Sequence, residues 1–107
     1  MILRKEQRFP VSFRAVLTSI KTHENSGMVL DLSPSGCRVH SLMSVFTGMQ
    51  LGLRLHLPGQ NPPIYIDRGT VRWSRGQEFG VQFTEIASHE NNRLRAAVQA
   101  LKNSSQT

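Results

Sequence analysis

The chain has 107 residues, enough for one modest hydrophobic core and too few for two. Apolar residues make up 38% and charged residues 19%, the balance of a soluble globular domain, and no run of about eighteen apolar residues could cross a membrane as a helix. One cysteine excludes an internal disulfide and a thiolate zinc pair, while a net charge of +6, with ten arginines among thirteen basic residues, points to a phosphate-bearing partner.

Met1-Ile2-Leu3 runs straight into Arg4 without the apolar stretch of a secretory signal, so the expected location is the cytoplasm. Residues 1–10 are polar and basic and end in Phe9-Pro10, which reads as an extended arm entering a domain. From Arg14 to Ile20 the β-branched content predicts a strand, closed by the polar turn Lys21–Ser26. Gly27–Leu32 sets Met28, Leu30 and Leu32 against Val29 and Asp31; two apolar faces imply a strand buried on most sides. Pro34-Ser35-Gly36 makes a tight turn, and Cys37–His40 resumes as a short strand, with Cys37 expected as a small buried side chain.

The clearest periodicity is Leu51–Leu57, where four leucines alternate with non-apolar positions and so argue strand over helix. A turn cluster spans Pro58–Pro63, and Ile64–Trp73 follows as a longer strand, bent or bulged at Gly69. Gly76 sits in the next turn, after which Glu78–Thr84 directs Phe79, Val81 and Phe83 inward. Leu94, Ala97, Val98 and Leu101 then recur at helical spacing, with Ser88 as N-cap and a polar tail from Asn103. About six short strands followed by one amphipathic helix predict a mainly β fold, a small antiparallel barrel closed by a C-terminal helix. The expected organisation is a basic arm over 1–12, the barrel and helix over 13–102, and a flexible tail over 103–107.

Two stretches can carry chemistry. Arg4 and Arg8 are four apart, roughly 13 Å along an extended arm or about 6 Å if it curls, and either geometry brackets a small dianion. A guanidinium can fork onto a phosphate, stack on a purine, or donate twice to guanine O6 and N7. A solvated basic terminus is the competing account. Asp31 and Ser33, two apart at a strand end, project to one side. An ionised Asp accepts only, and so can take both N1–H and N2–H of a guanine, while Gly36 allows a positive φ or a close ligand approach. An Asx or Ser turn closing the strand explains the same residues. His23, His40, His56 and His89 are scattered singly, and no metal spacing or nucleophile–base pair can be assembled, so no enzyme is expected.

Arg-x-x-x-Arg in an N-terminal arm, followed about two dozen residues later by Asp-x-Ser-x-x-Gly, resembles the PilZ domain, a bacterial receptor for cyclic di-GMP. Gly69–Gly76 and Phe79–Phe83 look like the family's late strand pair, and 88–101 matches its terminal helix. The resemblance implies a six-stranded antiparallel barrel with the arm folding over the face that bears the Asp-Ser-Gly turn. It gives Arg4 and Arg8 the arginine roles on guanine and phosphate, Asp31 and Ser33 the guanine-recognising roles, and Gly36 the turn. Trp73 holds a place where some members meet the ligand, and Lys5 stands where a further phosphate contact can form. Leu3 replaces a basic residue common before the first motif arginine, which implies one bound molecule rather than an intercalated pair.

The implied function is a cyclic di-GMP receptor, without another cofactor, whose arm orders over the barrel and changes the surface that a downstream protein meets. A basic barrel binding single-stranded nucleic acid is the alternative from charge and strand content. Five Phe, one Trp and one Tyr, several on inward strand positions, leave it few rings for stacking. A ligand-free PilZ-like adaptor is the third, weakened by the intact Arg4, Arg8, Asp31, Ser33 and Gly36.

Overall fold

The computed structural model describes residues 6–19 and 24–104. Six strands, β1 (Phe9–Thr18), β2 (Asn25–Ser33), β3 (Gly36–His40), β4 (Gln50–Leu55), β5 (Ile64–Arg75) and β6 (Glu78–Glu85), precede one helix, α1 (Ser88–Ser104). All pairings are antiparallel, and the order β1-β2-β3-β6-β5-β4 closes when β4 pairs back onto β1, with Ala15 opposite Leu55 and Thr18 opposite Gly52. Closure leaves no unpaired edge strand among the described residues.

The core follows from period-two alternation wherever the strands are regular. Leu51, Leu53 and Leu55 of β4 and Ile64 and Ile66 of β5 fill the interior while Tyr65 points out. Phe79 and Val81 face inward from β6, and Phe83 packs half-buried against them. Leu94, Ala97 and Val98 line one stripe of α1, which packs on β1 and β5 and caps the core.

Several boundaries differ from the sequence reading, and β2 reaches back to Asn25, into the turn expected over Lys21–Ser26. β1 begins at Phe9, so the barrel starts inside the stretch assigned to an arm over 1–12; buried Phe9 and Phe13 draw the chain into the sheet. The far end of that expected strand, Ile20, lies outside the described residues. β4 ends at Leu55, although the His56 N–H still donates to the Arg14 carbonyl at 3.0 Å. α1 starts one residue early, since the Ala87 carbonyl accepts from the Asn91 N–H and Ser88 is already helical. It also runs through Ser104, into the segment expected as a tail; residues 105–107 lie outside the described part.

Bulges decide which way two strands face. β2 has an extra residue between Val29 and Asp31 relative to β3, which places Val29 opposite Val39 and Asp31 opposite Arg38. Val29 and Leu32 are both fully buried although three residues apart, Met28 is exposed, and Asp31 turns to the outside. The two apolar faces read from the sequence are thus one inward face interrupted by a bulge. β5 carries an extra residue between Ile66 and Gly69 relative to β4, where a bulge at Gly69 was expected, and another between Val71 and Trp73 relative to β6. Gly69 fits there because a Cβ would meet Val81 Cγ1 at 2.5 Å.

Candidate functional site

The β2–β3 hairpin is closed by the two-residue turn Pro34-Ser35, and the register that turn imposes sets Ser33 opposite Gly36, Leu32 opposite Cys37 and Asp31 opposite Arg38. Residues 6–8 continue the antiparallel course of β1 along β2. With Phe9 opposite Leu32, that course brings Glu6 to Ser35 and Arg8 beside Asp31. The contacts follow suit. Glu6 Oε1 accepts from the Ser35 N–H at 3.2 Å and from the Ser35 hydroxyl, and Arg8 donates through Nη1 to Asp31 Oδ1 at 3.1 Å. Residues 6–8 are therefore held to the hairpin. Arg4 and Lys5 lie outside the described residues.

Asp31 is the electrostatic centre of this face. Its side chain is 18% exposed, and its second oxygen, Oδ2, accepts from Arg38 Nε at 3.0 Å. Arg38 Nη1 also reaches Glu78 Oε1 on β6 at 2.8 Å, so that three adjacent strands are bridged by charge. Hydrogen bonding to Asp31 first and Glu78 second raises the already high guanidinium pKa further. Beneath Asp31, the buried Cys37 thiol is pushed up to about 12, by burial above all and by the Asp31 charge next. Cys37 is thus the small neutral core side chain that was expected.

Trp73 supplies the floor. The second bulge in β5 turns it out of the barrel, opposite Gly80 on β6, and leaves it 42% exposed. A Cβ on Gly80 would lie 2.1 Å from the indole Nε1, so the ring rests directly on the β6 backbone. Next to it, Arg72 donates through Nε to Gln82 Oε1 at 2.6 Å. Two adjoining hollows result. One, of about 220 Å³, is lined by Arg8, Ser35, Arg72, Trp73 and Gln82 with the Gly80-Val81 backbone between; the other, of about 170 Å³, is lined by Arg8, Asp31, Cys37, Arg38, Trp73 and Gly80. Together they place three guanidiniums, one carboxylate and one flat aromatic ring around a common floor, the groups that grip an anionic purine. Larger clefts, about 420 Å³ between α1 and β1 and about 490 Å³ beside Arg14 and Leu42, lack this convergence of charge and aromatic ring.

The structure thus brings Arg8, Asp31 and Trp73 together. It treats Ser33 and Gly36 differently. Ser33 is fully buried, and its hydroxyl donates to the Gly36 carbonyl at 3.3 Å, closing the turn. Gly36 does not have a positive φ; a Cβ there would meet the Val81 carbonyl oxygen at 2.3 Å, so the close approach it permits is that of β6. Arg38, Arg72, Gln82, Glu78 and Glu6 were absent from the sequence-derived site. A signal for Arg38 existed, because a two-residue turn at Pro34-Ser35 already puts it across from Asp31. Likewise the Gly76-Gln77 turn sets Trp73 across from Gly80. Among the described residues no three His, Cys, Asp or Glu side chains cluster to hold a metal ion, and no helix is long and apolar enough to cross a membrane. His23 lies outside the described residues.

Comparison with known proteins follows from this geometry. The family model for the PilZ domain matches residues 2–100. Among solved structures, the chain is similar to Bacillus subtilis inhibitor of motility MotI/DgrA, at 17% identity and a TM-score of 0.74, over 99% of this chain and 53% of that one. It is similar to Escherichia coli YcgR in complex with c-di-GMP, at 14% identity and a TM-score of 0.77, over 96% of this chain and 47% of that one. The PilZ domain of CeSA from a cellulose-synthesizing bacterium gives 14% identity and a TM-score of 0.70, over 90% and 98%. The chain therefore spans about half the length of MotI/DgrA and of YcgR. No curated protein matches it by sequence.

Proposed function

The chain belongs to the PilZ domain family, and from that premise we propose that it is a receptor for cyclic di-GMP that passes ligand binding on to a partner protein. The observation that carries the reading is the Arg8–Asp31 pair set beside Trp73. Asp31 is an acceptor matched to the N1–H and N2–H donors of guanine, and Trp73 offers a face on which the purine lies. When guanine takes Asp31, Arg8 is released from it and turns to the ligand's phosphates or to the O6/N7 edge. Arg4 and Lys5, preceding Arg8 on the same arm, add phosphate contacts, and Leu3 favours a single bound molecule. Ser33 and Gly36 act through the turn that presents Asp31 rather than by touching the ligand.

The reading is supported by the solved c-di-GMP complex of YcgR, which shares this fold. Nucleic acid is the weaker reading: Phe9, Phe13 and Phe79 are buried and Phe83 is half-buried. Of the exposed rings Phe46, Tyr65 and Trp73, only Trp73 lines the charged hollows, so no row of rings accompanies the charge for stacking successive bases. The downstream output is a changed surface, since the arm that covers the hairpin must rearrange as Arg8 leaves Asp31.

Calorimetric titration with cyclic di-GMP tests the site. A hydrogen bond involving a charged group contributes about 1.5–3 kcal/mol, so Arg8→Ala or Asp31→Ala should weaken binding by roughly ten- to over a hundredfold. Affinity should also fall as salt rises, because the site is open to solvent and its arginines are screened. Wild-type affinity in both variants would refute it.

A further inference from the structure

Asp31 is the one acidic side chain among the described residues lining the inner hollow, so the plane of its carboxylate decides which edges that hollow accepts. Nothing intrinsic sets that plane, because rotation about an Asp Cβ–Cγ bond has broad, shallow minima. Two guanidiniums set it here, and they are not equivalent. Arg8 comes from the arm, its side chain is 49% exposed, and it bonds Oδ1. Arg38 stands on β3, with β2 on one side and β6 on the other. Its Nε bonds Asp31 Oδ2 and its Nη1 bonds Glu78, so the guanidinium is gripped by carboxylates from both flanking strands.

We propose that Arg38, backed by Glu78, is a positioning residue that fixes the Asp31 carboxylate so that the site takes a guanine edge and rejects an adenine edge. The inference rests on the cyclic di-GMP reading above. Arg8 is the exchangeable partner; Arg38 is the fixed one. Each carboxylate oxygen has two lone-pair positions, so Arg38 can keep its bond to Oδ2 while the remaining positions face the hollow in one plane. Guanine presents N1–H and N2–H side by side and meets that plane with two donors. Adenine presents its N1 lone pair beside a single amino group, which sets an acceptor against the carboxylate. A carboxylate freed from Arg38 can rotate to offer one oxygen to the adenine amino group, and the discrimination shrinks. Glu78 does not line either hollow, so its part is played through Arg38 alone.

The experiment titrates the full chain and its Arg38→Ala, Arg38→Lys and Glu78→Gln variants with cyclic di-GMP and with cyclic di-AMP, with thermal melts alongside. A good bidentate contact discriminates by roughly ten- to a hundredfold, which sets the wild-type preference for cyclic di-GMP. Arg38→Ala should cut that ratio about tenfold. Glu78→Gln should cut it several-fold, and Arg38→Lys should leave it narrowed, since lysine restores the charge but not the fork. An unchanged ratio in Arg38→Ala and Glu78→Gln overturns the proposal, even where both affinities fall in step, because equal losses are what missing charge alone produces. A wild-type ratio in Arg38→Lys overturns it as well. A wild-type chain that binds neither cyclic dinucleotide overturns the receptor reading itself and this proposal with it, whereas binding with an unaltered ratio overturns the Arg38 role alone.

Discussion

Adding one methyl group at Gly80 tests whether Trp73 is a binding surface. The Cβ of Gly80→Ala would lie 2.1 Å from the indole Nε1, 2.6 Å from Cε2 and 2.8 Å from Cδ1, all far inside van der Waals contact. The ring must therefore lift off the β6 backbone. It has room to do so, since Trp73 is partly exposed and lies outside the apolar core cluster, so the fold should lose no more than about 1 kcal/mol. The ligand should lose much more. Stacking of a base on an aromatic ring contributes about 1–3 kcal/mol, which converts to roughly a five- to hundredfold rise in Kd for cyclic di-GMP. Trp73 is the single tryptophan of the chain, so its fluorescence reports both events: an altered emission in the free variant and a diminished response to ligand. Calorimetry gives the affinity and a thermal melt gives the stability. Wild-type affinity in a folded Gly80→Ala variant would refute the reasoning, for it would mean that the ligand does not use the ring. A variant that unfolds would refute the placement of Trp73 outside the core.

Two further outcomes bear on the residues beneath the site. Because burial raises the Cys37 thiol from 9.0 to about 12, the folded state keeps a proton that the unfolded state gives up above pH 9. Stability from this group is complete below that pH and falls as pH rises from 9 towards 12, by at most about 1.4 kcal/mol per pH unit; urea midpoints at pH 8 and pH 10 should separate in the wild type and close up in Cys37→Ala. Gly36→Ala should destabilise by about 1–3 kcal/mol in chemical denaturation, because its Cβ meets the Val81 carbonyl oxygen at 2.3 Å and backbone on β6 has to move. A wild-type midpoint in that variant would show that the β3–β6 ladder tolerates what the geometry forbids.

Much of the barrel was legible because its regular strands obey a simple rule. The leucine alternation of β4, the Phe79-Val81-Phe83 alternation of β6 and the helical spacing of Leu94, Ala97 and Val98 each report burial on one side, and each element formed where that pattern lay. Arg8 and Asp31 were legible as chemistry for a related reason, since their side chains had no apolar partner to satisfy. Ser33 and Gly36 were legible as important but not in role. The same Asp-x-Ser-x-x-Gly spacing suits a ligand contact and a closed turn, and only the burial of Ser33 and the nearness of β6 to Gly36 distinguish them.

Hydrophobic periodicity determined most of the strands and the capping helix, and residue chemistry marked the two stretches that carry charge; neither could determine which way Asp31 and Trp73 point. A single inserted residue reverses the facing of everything beyond it, because side chains along a strand alternate with a period of two. The extra residue between Val29 and Asp31 keeps Leu32 in the core and turns the carboxylate out. The extra residue between Val71 and Trp73 turns the indole out in the same way. Both slips are set within hairpins, by pairing with β3 and β6 across two-residue turns. What only the tertiary structure supplies is the pairing of β3 with β6, which sets Arg38 opposite Gly80, joins Arg38 to Glu78 and so brings the two hairpins together. Local sequence supplied the groups, and the pairing of β3 with β6 decided that they meet on one outer face.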